Sequence, residues 1–305
     1  MTSPKLERLK KEAGERLIVS LSGITLTKSE MSMLREVTPC GLIYFKRNVE
    51  SCESLQSLIK STKCFDSIEF HSIDEEGGRV RRLPKDDYSL PSMKELVTYG
   101  KEVAAEKIGI LAQKLNEIGI NMNMAPNVDL RSGEDNSIVG DRSFGEDPAT
   151  VIEFASIYIK KMREASVFPV IKHFPGHGTT VIDSHSELPL INKPFKDLFG
   201  QDLLPYHKIA NASGFVMKAH LLLPEISPLP ASLAPEWDVI LRKDIGFFGI
   251  SMTDDIEMHA LDRFSVKEKI ELFFQSGTDK LLICSGKEET ILEMHEAAVR
   301  FLENK

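Results

Sequence analysis

Between positions 172 and 185 the chain carries Lys172-His173-Phe174-Pro175-Gly176-His177-Gly178 and then Asp183-Ser184-His185. Three histidines, a lysine and an aspartate within fourteen positions suit proton transfer and the holding of polar groups, with two glycines and a proline shaping the backbone. An aspartate two residues before an imidazole can hydrogen-bond it when the chain between them is extended. That contact orients the ring and favours its protonated form, the state required of a general acid near neutral pH. The plainer alternative for the same three residues is a turn with a solvent-exposed histidine. Ser184 is not read as a hydrolase nucleophile, because no Gly-x-Ser-x-Gly elbow surrounds it.

A second acidic signal, Asp254-Asp255, follows Gly249-Ile250-Ser251-Met252-Thr253. Side chains alternate along a strand, so only one of the two aspartates points into a site at the strand's end. Its carboxylate would act as nucleophile or electrostatic stabiliser. Otherwise Asp255 caps the following helix and Asp254 binds an arginine. Lys172, His173, Arg142 and Arg82 with Asp74 supply donors and an acceptor of the kind that hold sugar hydroxyls. The arginines would serve equally to neutralise the acids around them.

These residues need elements to bring them together. Apolar runs of strand length occur at Leu17–Leu21, Gly41–Phe45, Ile68–Ile73, Asn121–Ala125, Phe168–His173, Gly214–Ala219, Phe247–Met252 and Lys280–Cys284. Between them apolar residues recur at helical spacing, as at Leu55, Leu58 and Ile59, at Ile108, Leu111, Leu115 and Ile118, and at Ile270, Leu272 and Phe273. Eight strands separated by crossover helices predict an α/β fold, a single (β/α)8 TIM barrel with extended βα loops. A barrel of this kind takes about 250 residues, so a chain of 305 is expected to form one catalytic domain over residues 1–305. A doubly wound sheet would need a glycine-rich phosphate turn after the first strand, which Leu21-Ser22-Gly23-Ile24 does not supply. In a barrel the chemistry sits just past the C-terminal strand ends. Those positions hold Arg47-Asn48, Asp74 to Arg79, Asn127 and Asp129, Lys172-His173, His220 and Asp254-Asp255, whereas the strand interiors are apolar. Gly77-Gly78 permits a tight turn there, and Trp237, in an apparent helix after Pro235, reads as packing.

Composition removes several partners. A net charge of −8 argues against a nucleic-acid polyanion, and no Lys/Arg stripe interleaves with aromatics. The charged start (Lys5, Glu7, Arg8, Lys10, Lys11, Glu12) reads as a solvated first helix. No apolar run approaches the roughly 20 residues of a membrane span, and the start lacks the order of a secretory signal. Cys40, Cys52, Cys64 and Cys284 show no CxxC spacing and are expected to be reduced thiols packed as small hydrophobes. A cytoplasmic monomer without cofactor or resident metal is expected.

In their order along the chain, Ile73-Asp74-Glu75-Glu76-Gly77-Gly78-Arg79-Val80, Asp141-Arg142-Ser143-Phe144, the Lys172–Gly178 run with Asp183-Ser184-His185, and Thr253-Asp254-Asp255 resemble the bacterial β-N-acetylglucosaminidases (β-N-acetylhexosaminidases) of glycoside hydrolase family 3. Weaker echoes are Gly41 to Asn48, Met124 to Asp129 and Pro230-Ala231-Ser232, and the resemblance covers nearly the whole chain. It implies a single (β/α)8 barrel that removes terminal, non-reducing β-linked N-acetylglucosamine with retention of configuration. By position Asp254 matches the family nucleophile, His185 its acid/base and Asp183 the residue that polarises that histidine. Asp74, Arg82, Arg142, Lys172 and His173 match positions that hold the sugar. The resemblance implies a carbohydrate substrate such as a muropeptide fragment met during cell-wall recycling. Glu75 and Arg81 stand where the family often has glutamine, a departure that bears on the leaving-group side. The segment Ile256 to Ala260 is also less typical. The glycine-rich approach to the dyad predicts a loop from about Gly176 to Pro189 that moves on substrate binding.

Rival readings of the same residues are a phosphorylase using inorganic phosphate, a metal-dependent hydrolase with His173, His177, His185 and Asp254 as ligands, and a non-catalytic sugar-binding barrel.

Overall fold

A computed structural model describes residues 4–131, 139–177, 188–191 and 193–305. Nine parallel strand segments alternate with helices: β1 (Leu17–Ser20), β2 (Gly41–Tyr44), β3 (Phe70–Ile73), β4 (Met122–Asn123), β5 (Phe168–Pro169), β6 (Ile171–Phe174), β7 (Phe215–Lys218), β8 (Ile250–Asp255) and β9 (Lys280–Ile283). Neighbours follow the order β5-β4-β3-β2-β1-β9-β8-β7-β6. The two ends of that list are parts of one stretch interrupted at Val170. β5 pairs with β4 and β6 with β7. Val170 donates its backbone N–H to Asn123 and Ala125. The nine segments therefore make eight staves of a (β/α)8 barrel, as the strand count predicted. β1 joins β9 in register Leu17↔Leu281 to Val19↔Ile283, so the first and last staves meet.

Alternation of side chains divides the core in two. Ile18, Ile43, Phe70, Met122, Phe215, Met252 and Leu282 point into the barrel, and their neighbours Val19, Leu42, Ile73, Val216 and Leu281 pack outward under the helices. Phe70, Phe168 and Phe215 meet with ring centroids 5.3–6.3 Å apart. The barrel interior is thus a packed plug, which leaves only its end open to a ligand.

The helices form where apolar spacing demanded them. In Lys101–Ile118 the buried residues Ala104, Ile108, Leu111, Ala112, Leu115 and Ile118 lie on one stripe. Gly119, at φ 101°, closes that helix in the left-handed region. Trp237 is buried in the helix Pro235–Val239 and packs edge-on to Phe174, as a core residue does. The charged first helix, Pro4–Gly14, buries Leu9 and Ala13. No helix among the described residues is long and apolar enough to cross a membrane.

Two expectations need correction. The seventh stave begins at Ile250 rather than Phe247 and runs through Asp254 and Asp255, so both acids belong to the strand. Gly246, at φ 74°, and the exposed Phe248 hold the residues before it in a loop. Cys64 is exposed rather than packed, whereas Cys40 and Cys284 are buried and all four thiols are free.

Candidate active site

The strands deliver their polar ends to one cavity of about 320 Å³, lined among others by Asp74, Arg82, Arg142, Lys172, His173 and Asp254. These are six of the eight residues read from the sequence as catalytic or sugar-binding. The other two, Asp183 and His185, lie outside the described residues, as does most of the loop expected to move.

One wall of the cavity is an ion network. Lys172, on β6, places Nζ 2.8 Å from Asp74 Oδ1 and 2.7 Å from Glu76 Oε1. Arg142 grips Glu76 with two donors, Nε to Oε2 at 2.8 Å and Nη2 to Oε1 at 2.7 Å. The bidentate form fixes the guanidinium plane as well as its position. Arg82 reaches Asp74 Oδ2 at 3.5 Å and lies over the Phe45 ring. Its Nε is buried without a hydrogen-bond partner. Burial alone would raise the Glu76 carboxyl, but Arg142 and Lys172 hold it well below the usual carboxylate range. The arginines therefore neutralise acids and border the cavity at once.

A second pairing orients the imidazole beside this wall. His173 Nδ1 lies 2.7 Å from Asp129 Oδ2. The other oxygen of Asp129 accepts the backbone N–H groups of His173 and His177. The carboxylate takes the proton-bearing Nδ1, which turns Nε2 towards Arg142 Nη2 at 3.4 Å. Burial opposes ionisation of Asp129, yet His173, His177 and these N–H groups keep it down at about 2. His177, 5.3 Å from His173 between ring centroids, is pushed down to about 4 by burial and then by that neighbour.

Asp254 closes the far side. Burial would raise its pKa, but His173, His220, the backbone N–H of Asp255 and Lys172 together hold it below the ordinary value. The Asp255 N–H donates to Asp254 Oδ1 at 2.8 Å. The carboxylate is ionised at neutral pH and faces cations without being locked to an arginine, the condition of an available nucleophile. Asp255 behaves differently, although it also borders the cavity. Its Oδ1 accepts the backbone N–H groups of Glu257 and Cys284. Burial, and then the charges of Glu257 and Asp254, push it up to about 7.

Other strand-end residues brace the mouth. Arg47 donates to Leu21 O at 3.0 Å, to Ser20 Oγ at 2.6 Å and to Cys284 O, stapling β1 and β9. Asn48 donates to the backbone of Leu21 and Gly23. The buried His220 joins Ser232 Oγ at 2.6 Å to Asp255 O at 2.8 Å. The buried Asn127 accepts the backbone N–H of Asp129.

Glu76 and Asp129 were placed at the barrel mouth by reading the sequence but were given no role there. Their signal was present, since Asp74 and Glu76 are two apart and share one face of an extended chain. Glu75, between them, faces the other way, where it is buried and accepts the backbone N–H groups of Arg82 and Leu83 at 2.7 and 2.9 Å. Its place where the family often has glutamine thus bears on the loop that carries Arg82 rather than on the cavity itself. That loop turns at Gly77, φ 100°, where a Cβ would stand 2.4 Å from Pro91 O. Among the described residues no three His, Cys, Asp or Glu side chains converge as metal ligands.

Residues 5–304 match the model of the glycosyl hydrolase family 3 N terminal domain. The chain is 34% identical over 275 residues to a beta-hexosaminidase of Glaesserella parasuis serovar 5, covering 88% of this chain and 80% of that one. It superposes on a family 3 beta-N-acetylglucosaminidase from a Paenibacillus species with a TM-score of 0.91 at 29% identity, spanning 100% of this chain but 59% of that one. It also matches NagZ of Neisseria gonorrhoeae in complex with N-trifluoroacetyl-D-glucosamine, with a TM-score of 0.83, 29% identity, and 94% and 88% of the two chains covered. With its (β/α)8 barrel, and a carboxylate facing a wall of paired cations at the C-terminal strand ends, the chain belongs to the glycosyl hydrolases of family 3.

Proposed function

We propose that the protein is a retaining exo-β-N-acetylglucosaminidase that removes a terminal, non-reducing β-linked N-acetylglucosamine, with Asp254 as nucleophile and Asp183–His185 as acid/base dyad. The observation that carries this reading is one cavity of about 320 Å³ lined by Asp254, Lys172, Arg142 and His173, in which His173, His220 and Lys172 hold the Asp254 carboxyl below its ordinary value. That volume is at the small end for ligand pockets, which suits one sugar ring and so action at a chain end. A relative seen with an N-acylated glucosamine supports the amino sugar.

In the first step Asp254 Oδ attacks the anomeric carbon. The bond from that carbon to the leaving oxygen breaks, and His185 gives the oxygen its proton. In the second step His185 takes a proton from water, whose oxygen attacks the same carbon and displaces Asp254. Two inversions give net retention. Retaining enzymes usually place a second carboxyl group about 5 Å from the nucleophile for the proton work. Here Asp74 and Glu76 are paired with Lys172, Asp129 with His173, and Asp255 is tied to two backbone N–H groups. With the described carboxylates so engaged, the imidazole of His185 is the better proton carrier. Muropeptide fragments in the cytoplasm are the proposed natural substrates.

The test compares an aryl β-N-acetylglucosaminide with the matching β-glucoside and follows the released sugar by NMR. Preference for the amino sugar with β-product formed first supports the reading. Release of the α-anomer, or equal turnover of the glucoside, would defeat it.

A further inference from the structure

Glu76 does not belong to the set of groups that the sequence reading placed against the substrate. It is 1% exposed, and both its oxygens are engaged by protein. Oε1 lies 2.7 Å from Lys172 Nζ and 2.7 Å from Arg142 Nη2, so a single oxygen separates two buried cations. Oε2 takes the remaining donor of the fork, Arg142 Nε. The three residues come from the β3 end, the loop near Gly140 and β6, which the barrel alone brings together.

Consider the wall without that charge. Lys172 would keep Asp74, and Arg142 would face Lys172 directly, with like charges at largely buried positions. Lys172 stands on a flexible four-carbon stem and has three rotatable donors, so its direction is set by its partners rather than by its own rotamer. The Arg142 fork is planar and owes its plane to the two-point grip. An anion at this position therefore does two things. It cancels the repulsion that would splay the cations, and it fixes both of them in the cavity wall.

We propose that Glu76 is a positioning residue, one buried carboxylate that sets Lys172 and Arg142 at the spacing at which they hold the sugar. For its kinetic consequence the proposal rests on the reading of the cavity as a sugar site. Positioning of this kind acts on ground state and transition state alike, so its loss falls on KM more than on kcat. It also holds the Lys172 amine in its charged form. The groups around that amine are Asp74, Glu76 and Arg142, with Asp254 across the cavity, and removing the Glu76 anion leaves the Arg142 cation as a stronger influence on it.

The experiment uses Glu76→Gln in the full chain, with three readouts. On an aryl β-N-acetylglucosaminide, KM should rise about tenfold or more while kcat changes less than about threefold. Acetylation of Lys172 by acetic anhydride, followed by mass spectrometry across pH, should shift its midpoint down by about one unit or more. Thermal unfolding shows whether the variant is folded at the assay temperature. Wild-type KM together with an unchanged Lys172 profile would overturn the proposal. A fall in kcat that merely follows a lower melting temperature, at constant KM, would overturn it too. If the wild-type protein fails to turn over the substrate, the functional reading is what has failed, and the acetylation profile still decides the role of Glu76. Should Glu76→Gln not fold, Glu76→Asp decides: it keeps the charge but is one methylene too short to hold both cations, so KM should rise severalfold. A wild-type KM for that variant would refute the assignment.

Discussion

The carboxylate of Asp129 holds His173 through Nδ1 at 2.7 Å and, with its other oxygen, accepts the backbone N–H groups of His173 and His177. One buried anion thus sets both the imidazole facing the cavity and the chain that leads into the Gly178–His185 segment. Its replacement should be felt in two ways. Asp129→Asn should cost about 1–3 kcal/mol in denaturant unfolding at pH 7, the usual range for a buried partner lost. The pH dependence has a definite sign. Held at about 2 in the fold against 3.8 for the free group, Asp129 stabilises the protein above about pH 4 and loses that contribution as pH falls towards 2. The variant should therefore lose less stability than wild type between pH 4 and 2. Parallel acid limbs would refute the pairing.

Asp254 and His185 are separable by leaving group. Asp254→Ala should abolish turnover of every substrate, because among the described carboxylates of the cavity Asp74 and Glu76 are held by Lys172 and Asp255 by two backbone N–H groups. His185→Ala should slow substrates with poor leaving groups by about 10²- to 10⁴-fold. Activated aryl glycosides, which depart without a proton, should suffer much less. Equal losses on both kinds of substrate would remove His185 from the acid/base role.

Glu75 makes a stability prediction of opposite sign. Burial pushes its carboxyl up to about 7, against 4.5 for the free group. A raised carboxyl contributes stability that is present below about pH 4.5 and is lost as pH rises through 7. Glu75→Gln keeps the acceptor for Arg82 and Leu83 and removes the buried charge. The variant should gain on wild type by about 2–3 kcal/mol between pH 5 and pH 8, most of the equivalent of the shift. Melting curves at those two pH values check it, and a constant difference would contradict the burial argument.

Two rival chemistries are tested by addition and removal. Turnover should survive exhaustive chelation, since the proposed steps use only Asp254, His185 and water. Loss of activity restored by a divalent cation would favour the metal-dependent reading. Phosphate should neither accelerate release nor appear in the product. A sugar 1-phosphate formed in its presence would make the protein a phosphorylase.

The strand and helix pattern was legible because burial marks the chain locally, as short continuous apolar runs where a strand is covered on both faces and as a 3.6-residue stripe in Lys101–Ile118. Loop boundaries were less legible. Phe247 and Phe248 extend the apolar run before Ile250, but a turn at Gly246 and the exposure of Phe248 keep them out of the strand. Composition has no means of distinguishing such a run from a strand start.

The site divides in the same way. Reading the residues alone located the carboxylates, imidazoles and cations at one end of the barrel, because strand ends follow from apolar runs and need no knowledge of distant partners. Which acid meets which base was decided only by the fold. Glu76 meets Arg142 across 66 positions and Asp74 meets Lys172 across 98. Such pairs are set by strand register around the closed barrel. Burial then makes each of them costly to leave unmade, and nothing local in the chain encodes that choice.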